Sequence, residues 1–312
     1  MYLFDFSLIH KAYKVDFNKI GNEYKMIVDI GKKQVGPSKP CYLIAEIGIN
    51  HNGQIDLAKK LILKAKEAGF DVVKFQKRVP ELCVPKEKRE ELRITPWGNI
   101  SYFSYKEKIE FSKEQYDEIN KFCNNIGIEW AASAWDIESV KFLSEYKCPF
   151  IKIPSDKTKD LEFVKVVADT GMPIIISCGG TSISELEDAF KILDTKKTIL
   201  LQCTSEYPTP SEKLNLRTMR FLEEKFKLNI GLSSHHTSPV MAAMAAAYGA
   251  KVIEVHVTLD RAMWGTDQAM SLEPRGMEVL CTNVRAFEIA LGSPEKVLYE
   301  KELSTLSRTI KK

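Results

Sequence analysis

Short apolar, β-branched runs alternate along most of the chain with segments whose apolar positions recur every three to four residues. The runs are YLIAEIG (42–48), DVVKFQ (71–76), IEWAAS (128–133), FIKIP (150–154), PIIISC (173–178), TILLQC (198–203), NIGLSS (229–234) and KVIEVHV (251–257). Their length and near-continuous apolarity predict strands of a sheet buried on both faces. The intervening patterns predict helices over 55–69, 112–126, 136–146, 160–170, 182–193, 214–227, 238–248 and 275–291. Ser112 followed by Gln115, and Ser182 followed by Glu185, have the spacing of capping boxes. Gly69, Gly171 and Gly249 stand where helices should end.

Eight strands and eight helices in strict alternation, over about 250 residues, is the count that closes a (β/α)8 TIM barrel, and α/β is the expected fold class. A doubly wound open sheet usually has fewer strands and an early glycine-rich phosphate loop. The chain has neither GxGxxG nor a Walker A motif. Residues 1–37 mix aromatics, lysine and glycine, and read as a short N-terminal β extension that caps the barrel bottom or meets a partner. The barrel is expected over 38–295, and 296–312 reads as a short charged tail. The connection 77–111 reads as a long loop carrying Trp97, Tyr102, Phe103, Tyr105 and Phe111, either functional or part of an interface.

Composition narrows the class. Of 312 residues, 44% are hydrophobic and 28% charged, an ordinary soluble balance, and the net charge of +3 gives no reason to expect nucleic acid. No apolar run approaches the ~20 residues that span a bilayer, so no membrane partner is expected. The first residues carry acids and aromatics and no small-residue cleavage site, unlike a signal peptide. Seven cysteines, an odd number without a CxxC, fit a reduced, cytoplasmic chain.

A barrel carries its chemistry at the C-terminal ends of its strands. There the sequence offers Glu46, Asn50 and His51; Lys74 and Gln76; Ser133; Lys152, Ser155 and Lys157; Ser177; Gln202, Thr204 and Ser205; Ser233, His235 and His236; His256, with Asp267 beyond. Two lysines and several hydroxyls converging on one mouth suit a phosphorylated, anionic ligand. A lysine inside VVKF or FIKIP is costly unless it faces a polar mouth; a snorkelling edge residue is the plainer alternative. His235 and His256 close adjacent strands and suit a transition metal, or else a metal-free hydrogen-bonded pair. Two imidazoles are an incomplete ligand set, so substrate or solvent must supply the rest. Glu46 suits acid/base work or orientation of substrate, against a purely structural ion pair with Lys74. His236 follows His235 and should face the other way. His10 is expected to be incidental, and Cys178 and Cys203 are expected to pack.

The segments IAEIGINHNG (44–53), VVKFQKR (72–78), KIPSD (152–156), TGMPIIISCGG (170–180), LLQCTSEYPTP (200–210), GLSSHHTS (231–238), GAKVIEVHVTLDR (249–261) and GTDQAMSLEP (265–274) resemble, in order, the sialic acid synthase (N-acetylneuraminate synthase) family. The likeness covers about residues 38–292. It implies a transferase that condenses phosphoenolpyruvate with an N-acyl sugar aldehyde, typically N-acetylmannosamine, and releases phosphate. It implies a divalent metal, Mn2+ first, with Mg2+ or Co2+ as substitutes, and a homodimer. The family's metal ligands fall on His235 and His256; its phosphoenolpyruvate contacts fall on Lys74, Lys152, Ser133, Ser155, Ser177 and Ser233. Glu46, Asp267 and Tyr207 match catalytic or sugar-facing positions, and Gln76, Lys157 and Ser205 are placed toward the sugar.

Four departures stand out. The barrel and tail are expected to leave no stretch for the family's C-terminal antifreeze-like domain, and a sugar contact is then expected from elsewhere, the 77–111 loop being one source. Strand seven reads Ser233-Ser234-His235-His236 in place of Ser-Asp-His-Thr, Lys157 replaces a glutamate, and Gln202 replaces a histidine. Two alternatives follow: a synthase acting on a phosphorylated aldose, welcomed by Lys157 and Lys77-Arg78, or a non-catalytic sugar-binding relative.

Overall fold

The computed structural model describes residues 26–309. Much of the expected N-terminal extension, with His10, lies outside the described residues. What is described begins with an antiparallel hairpin, β1 (Val28–Ile30) and β2 (Lys33–Val35). Then β3 (Tyr42–Gly48), α1 (Ile55–Ala68) and β4 (Val72–Lys77) open the barrel.

The 77–111 connection is not a bare loop. It holds a short helix α2 (Pro80–Cys83), a hairpin β5 (Leu92–Thr95) and β6 (Gly98–Ser101), and helix α3 (Tyr102–Ile109). Its runs are too short to announce a period. The hairpin turn is tied by Thr95 Oγ1 donating to Gly98 O at 2.7 Å, and Ser101 caps α3.

The alternation then resumes: α4 (Lys113–Ile126), β7 (Glu129–Ala134), α5 (Ile137–Ser144), β8 (Ile151–Ile153), α6 (Leu161–Asp169), β9 (Ile174–Ser177) and α7 (Ile183–Phe190). It ends with β10 (Thr198–Cys203), α8 (Thr218–Phe226), β11 (Asn229–Ser234), α9 (Pro239–Ala247), β12 (Val252–His256) and α10 (Pro274–Ala290). The tail is also ordered in part, as α11 (Glu300–Thr309), a helix rather than a plain charged end. Both expected capping boxes form, at Ser112/Gln115 and Ser182/Glu185, and Gly69 ends α1 in the left-handed region at φ 102°.

The eight barrel strands close in the order β3-β4-β7-β8-β9-β10-β11-β12, all parallel. Side chains alternate across each strand. Leu43, Ala45 and Ile47 therefore face the helices and join the large outer core, while Tyr42 and Ile44 face inward. Val28, Ile30 and Val35 of the first hairpin pack on those inward residues and plug the lower end. Going up each strand by twos, the inward series turns from apolar to polar: Ile44 to Glu46, Val72 to Lys74, Ala131 to Ser133, Phe150 to Lys152, Ile175 to Ser177, Val252 to Glu254. An apolar lower core and a polar upper mouth are thus written into the same strands.

Candidate active site

The inward polar residues meet in a cavity of about 250 Å3 at the C-terminal end of the barrel. Register decides who meets whom. Glu46 is level with Lys74 on one side and His256 on the other; Gln76 is level with Ser133, Ser133 with Lys152, and Ser233 with both Cys203 and Glu254.

Two buried lysines dominate the floor. Lys74 Nζ stands 2.6 Å from Glu46 Oε2, 3.6 Å from Glu254 Oε2, and donates to Ser133 Oγ at 2.7 Å. Lys152 Nζ stands 3.6 Å from Glu254 Oε1 and donates to Ser177 Oγ at 2.6 Å. Ser233 Oγ donates to Glu254 Oε1 at 3.0 Å. The Glu46 Oε2 contact is a close ion pair without an aligned hydrogen bond, while Oε1 accepts from Gln76 Nε2 at 3.2 Å.

Electrostatics follow from burial against pairing. Burial works to lower both lysines. At Lys74, Glu254 and Glu46 outweigh it and raise the pKa; at Lys152, burial prevails over Glu254 and lowers it. Burial raises Glu46 to about 7, although Lys74 opposes it. At Glu254 the two lysines overcome burial and hold the carboxyl low.

Glu254 is the residue that sequence reading missed. It lies in an apolar run, two positions before His256, and period two alone would have aimed it at the mouth. Its effect is a correction in degree: the lysines are not free cations waiting for an anion but are already partly neutralised.

The histidines occupy the rim. His235 and His256 have ring centroids 5.5 Å apart. His235 Nδ1 lies 2.9 Å from Thr204 O, an acceptor, which makes that nitrogen a protonated one. His256 Nδ1 is buried without a hydrogen-bond partner, 3.7 Å from Asp267 Oδ2. Burial holds His256 down at about 4, so it is neutral. The Tyr207 ring lies tilted against His235, with centroids 4.0 Å apart. Cys203 also lines the cavity beside His235. Burial opposes charge on both, yet each shifts the other toward its ionised form, so Cys203 does more than pack.

Ser155 and Ser205 line the same cavity, and Ser155 Oγ accepts from Gly179 N at 3.0 Å. Other expected residues lie elsewhere. Lys157 is turned aside: its ammonium pairs with Asp160 at 3.2 Å and lies over the Phe163 ring, because it sits on the short turn after β8 rather than in the inward series. His236 faces away and meets Ser211 Oγ at 3.0 Å. His51 stacks on Phe111 at 3.9 Å, and Asn50 clamps Val257 O and Ser271 Oγ, both at 2.9 Å, so both are structural. Cys178 and Gln202 contact each other and line a neighbouring surface hollow.

Fold and mouth together define a (β/α)8 barrel with a polar, lysine-bearing centre. Residues 61–296 match the NeuB family. The N-acetylneuraminate-9-phosphate synthase of Mus musculus is 39% identical over 275 residues, covering 86% of this chain and 76% of that protein. The N,N'-diacetyllegionaminic acid synthase of Campylobacter jejuni is 35% identical over 276 residues, covering 86% and 83%. The crystal structure of N-acetylneuraminic acid (sialic acid) synthetase from Leptospira borgpetersenii, in complex with citrate, superposes with a TM-score of 0.80 at 28% identity, over 91% of this chain and 96% of that one. The chain belongs to the NeuB family of sialic acid synthases, and is an enzyme of the C–C bond-forming transferase type.

Proposed function

We propose that the protein condenses phosphoenolpyruvate with an N-acyl sugar aldehyde of the N-acetylmannosamine type, yielding a nonulosonic acid and inorganic phosphate. The observation that carries this is the Lys74–Glu46–Glu254–Lys152 quartet ringed by Ser133, Ser177 and Ser233 at the barrel mouth. The enol carbon bonds to the aldehyde carbon, whose oxygen takes a proton. Water adds, losing a proton, to the adjacent carbon that bears the phosphate and has become electron-poor, and the C–O bond between that carbon and the phosphate breaks to leave the keto group. Negative charge is present from start to finish, and fixed, buried ammonium and hydroxyl donors stabilise it without reorganising.

Each residue has a task in this reading. Lys74, Lys152, Ser133, Ser155, Ser177 and Ser233 hold the carboxylate and phosphate of phosphoenolpyruvate. Glu46, poised near neutrality, accepts or returns a proton at the sugar end. Gln76, Ser205, Tyr207 and Asp267 surround the sugar.

His235 and His256 would hold a divalent metal, Mn2+ in the first instance. Two observations fit that role: an orphaned buried imidazole nitrogen on His256, and a His235 ring that lines the cavity and is oriented by the contact of its Nδ1 with Thr204 O. Among the described residues no third His, Cys, Asp or Glu completes the set, so substrate and solvent would supply the remaining ligands. When bound, such an ion polarises the aldehyde oxygen.

Seven free cysteines fit a reducing cytoplasm, and we propose a homodimer. Among the described residues no helix is long and apolar enough to cross a membrane. The test is phosphate release from phosphoenolpyruvate with N-acetylmannosamine and Mn2+, against a chelator control. Chelator-sensitive release is expected. Absence of release with every N-acyl aldose tried, phosphorylated or not, would overturn the reading.

A further inference from the structure

Arg78 follows directly on β4, the strand that carries Lys74 and Gln76, and is only 7% exposed. Among the described residues no carboxylate lies at salt-bridge distance from its guanidinium. Its neighbour Lys77 is paired to Glu110 at 2.7 Å, and so is not free for the extra phosphate that the sequence suggested. Glu110 meets Arg78 at the backbone, where Arg78 N donates to Oε1 at 3.2 Å.

The Arg78 side chain instead reaches two residues that line the mouth. Its Nη2 donates to Gln76 Oε1, and its guanidinium lies over the Trp135 ring, 4.5 Å from the ring centre. Its Nε is buried without a hydrogen-bond partner. Burying a guanidinium without an acid is costly, and a plain packing role does not need the charge.

Gln76 stands between Arg78 and Glu46. A carboxamide has an acceptor end and a donor end of nearly the same shape, so its neighbours decide which end faces where. Arg78 decides here, because a guanidinium only donates. Gln76 Oε1 therefore faces Arg78, and Nε2 is left to donate to Glu46 Oε1 at 3.2 Å. The surroundings hold both residues in place. Tyr116 OH donates to Gln76 O at 3.1 Å, and Lys77 Nζ donates to Arg78 O at 3.2 Å. Gly48, at φ 56°, leaves room for the amide. A Cβ there would lie 3.2 Å from Gln76 Nε2 and 3.3 Å from Glu46 Oε1.

We propose that Arg78 is a positioning residue, which locks the Gln76 amide with its N–H groups toward Glu46 and the mouth. The sugar end of the site then presents a hydrogen-bond donor at this point, and Glu46 is held in one orientation. Arg78 acts through Gln76, and Trp135 keeps the guanidinium plane in place. Without Arg78 the amide is free to turn over and set its carbonyl oxygen against the Glu46 carboxyl group. The kinetic consequence rests on the proposed function; the orientation of the amide does not.

The test is a double-mutant cycle on kcat/KM for N-acetylmannosamine, or for whichever aldose is turned over, at saturating phosphoenolpyruvate. It compares the wild type, Arg78→Met, Gln76→Ala and the double variant. Arg78→Met should lose about tenfold, the order of one charge-assisted hydrogen bond, while the KM for phosphoenolpyruvate stays within about twofold. In the Gln76→Ala background the same substitution should cost less than about twofold, because no amide remains to be oriented. Arg78→Lys, which keeps a donor but not the planar fork, should fall between Arg78→Met and the wild type. Equal losses in the two backgrounds, or a loss confined to phosphoenolpyruvate, would overturn the proposal. If Arg78→Met does not fold, Arg78→Lys runs the same cycle under the same criterion. If phosphoenolpyruvate is consumed with no aldose, the condensation reading falls and nuclear magnetic resonance decides on Arg78. The Gln76 side-chain amide, identified by the loss of its signals in Gln76→Ala, should give one sharp pair of N–H signals in the wild type and a doubled or broadened pair in the Arg78 variant. One sharp pair in both would overturn the orienting role as well.

Discussion

Lys74 Nζ stands 2.6 Å from Glu46 Oε2, and both side chains are buried at the floor of the mouth. The pairing follows from register, since Glu46 of β3 is level with Lys74 of β4 and both point inward. A structural ion pair and a catalytic pair are therefore not alternatives here. Glu46 and Glu254 keep Lys74 charged in a low dielectric, and Lys74 keeps Glu46 from staying fully protonated at neutral pH. Such a pair is expensive to break from one side, because the partner left behind is an uncompensated buried charge.

Glu46 should set the acid limb of the pH profile. Burial raises it from 4.5 to about 7 against the pull of Lys74. If its carboxylate form works, kcat/KM climbs with pH through about 7 in the wild type. Glu46→Gln should lose that limb and about 10²-fold in rate, a common worth of a general base. A variant that keeps the limb would show that another group titrates. The same shift has a sign for stability. A carboxyl with a raised folded pKa binds its proton more tightly when folded, so its contribution is present below 4.5 and is lost as pH rises to about 7. The melting temperature of the wild type relative to Glu46→Gln should fall over that window.

Lys152→Ala should act on phosphoenolpyruvate. Lys152 donates to Ser177 Oγ and shares Glu254 with Lys74. Its loss should raise the phosphoenolpyruvate KM and lower turnover, by about 10²-fold or more in kcat/KM, since anionic oxygens are left unpaired beside buried carboxylates. Steady-state kinetics with phosphoenolpyruvate varied at saturating sugar is the measurement. Unchanged constants would reject the assignment.

The two-histidine metal reading separates His256 from His236. His256 carries the orphaned nitrogen at the mouth, whereas His236 is turned to Ser211. Titration of Mn2+ followed by electron paramagnetic resonance should show His256→Ala weakening the ion by more than about tenfold, the loss that even outer partners of a metal ligand cause. His236→Ala should bind as the wild type does. Equal weakening in both, or in neither, would count against the pair.

Gly179 offers a test by shape alone. A Cβ there would collide with Ser205 Oγ and come within 2.9 Å of Ser155 Oγ. Both hydroxyls line the mouth. Gly179→Ala should therefore raise the KM for phosphoenolpyruvate or sugar by about tenfold, one misplaced contact's worth, with the melting temperature little changed. Loss of fold in step with loss of activity would mean that the glycine serves packing instead.

The strand and helix pattern was legible because the barrel imposes period two and period 3.6 on long stretches: β3, β10 and β11 begin and end where their apolar runs do. The inward lysines were legible for the same reason, as charges in apolar runs with one polar place to point. The excursion over 77–111 was not. Its hairpin and helices are four to eight residues long, are held by turns and caps, and pack Tyr105 and Ile109 against Ile49. Glu254 stands two before His256 and so shares its inward face, whereas Lys157 shows that proximity to a strand end does not fix orientation toward the mouth.

Local alternation by itself determined the number of βα units, the apolar lower core and the polar upper rim, since hydrophobic burial acts on every strand alike. Only closure of the barrel decided the partners. Parallel register joins Glu46 to Lys74 and His256, and Ser133 to Lys152, across distances in sequence that no local pattern spans. Only tertiary packing brought α3 against the β12 loop, leaving Lys106 buried over the Tyr102 and Tyr105 rings, with no carboxylate at salt-bridge distance among the described residues. Electrostatic pairing depends on separation in space, and a linear sequence does not carry that separation.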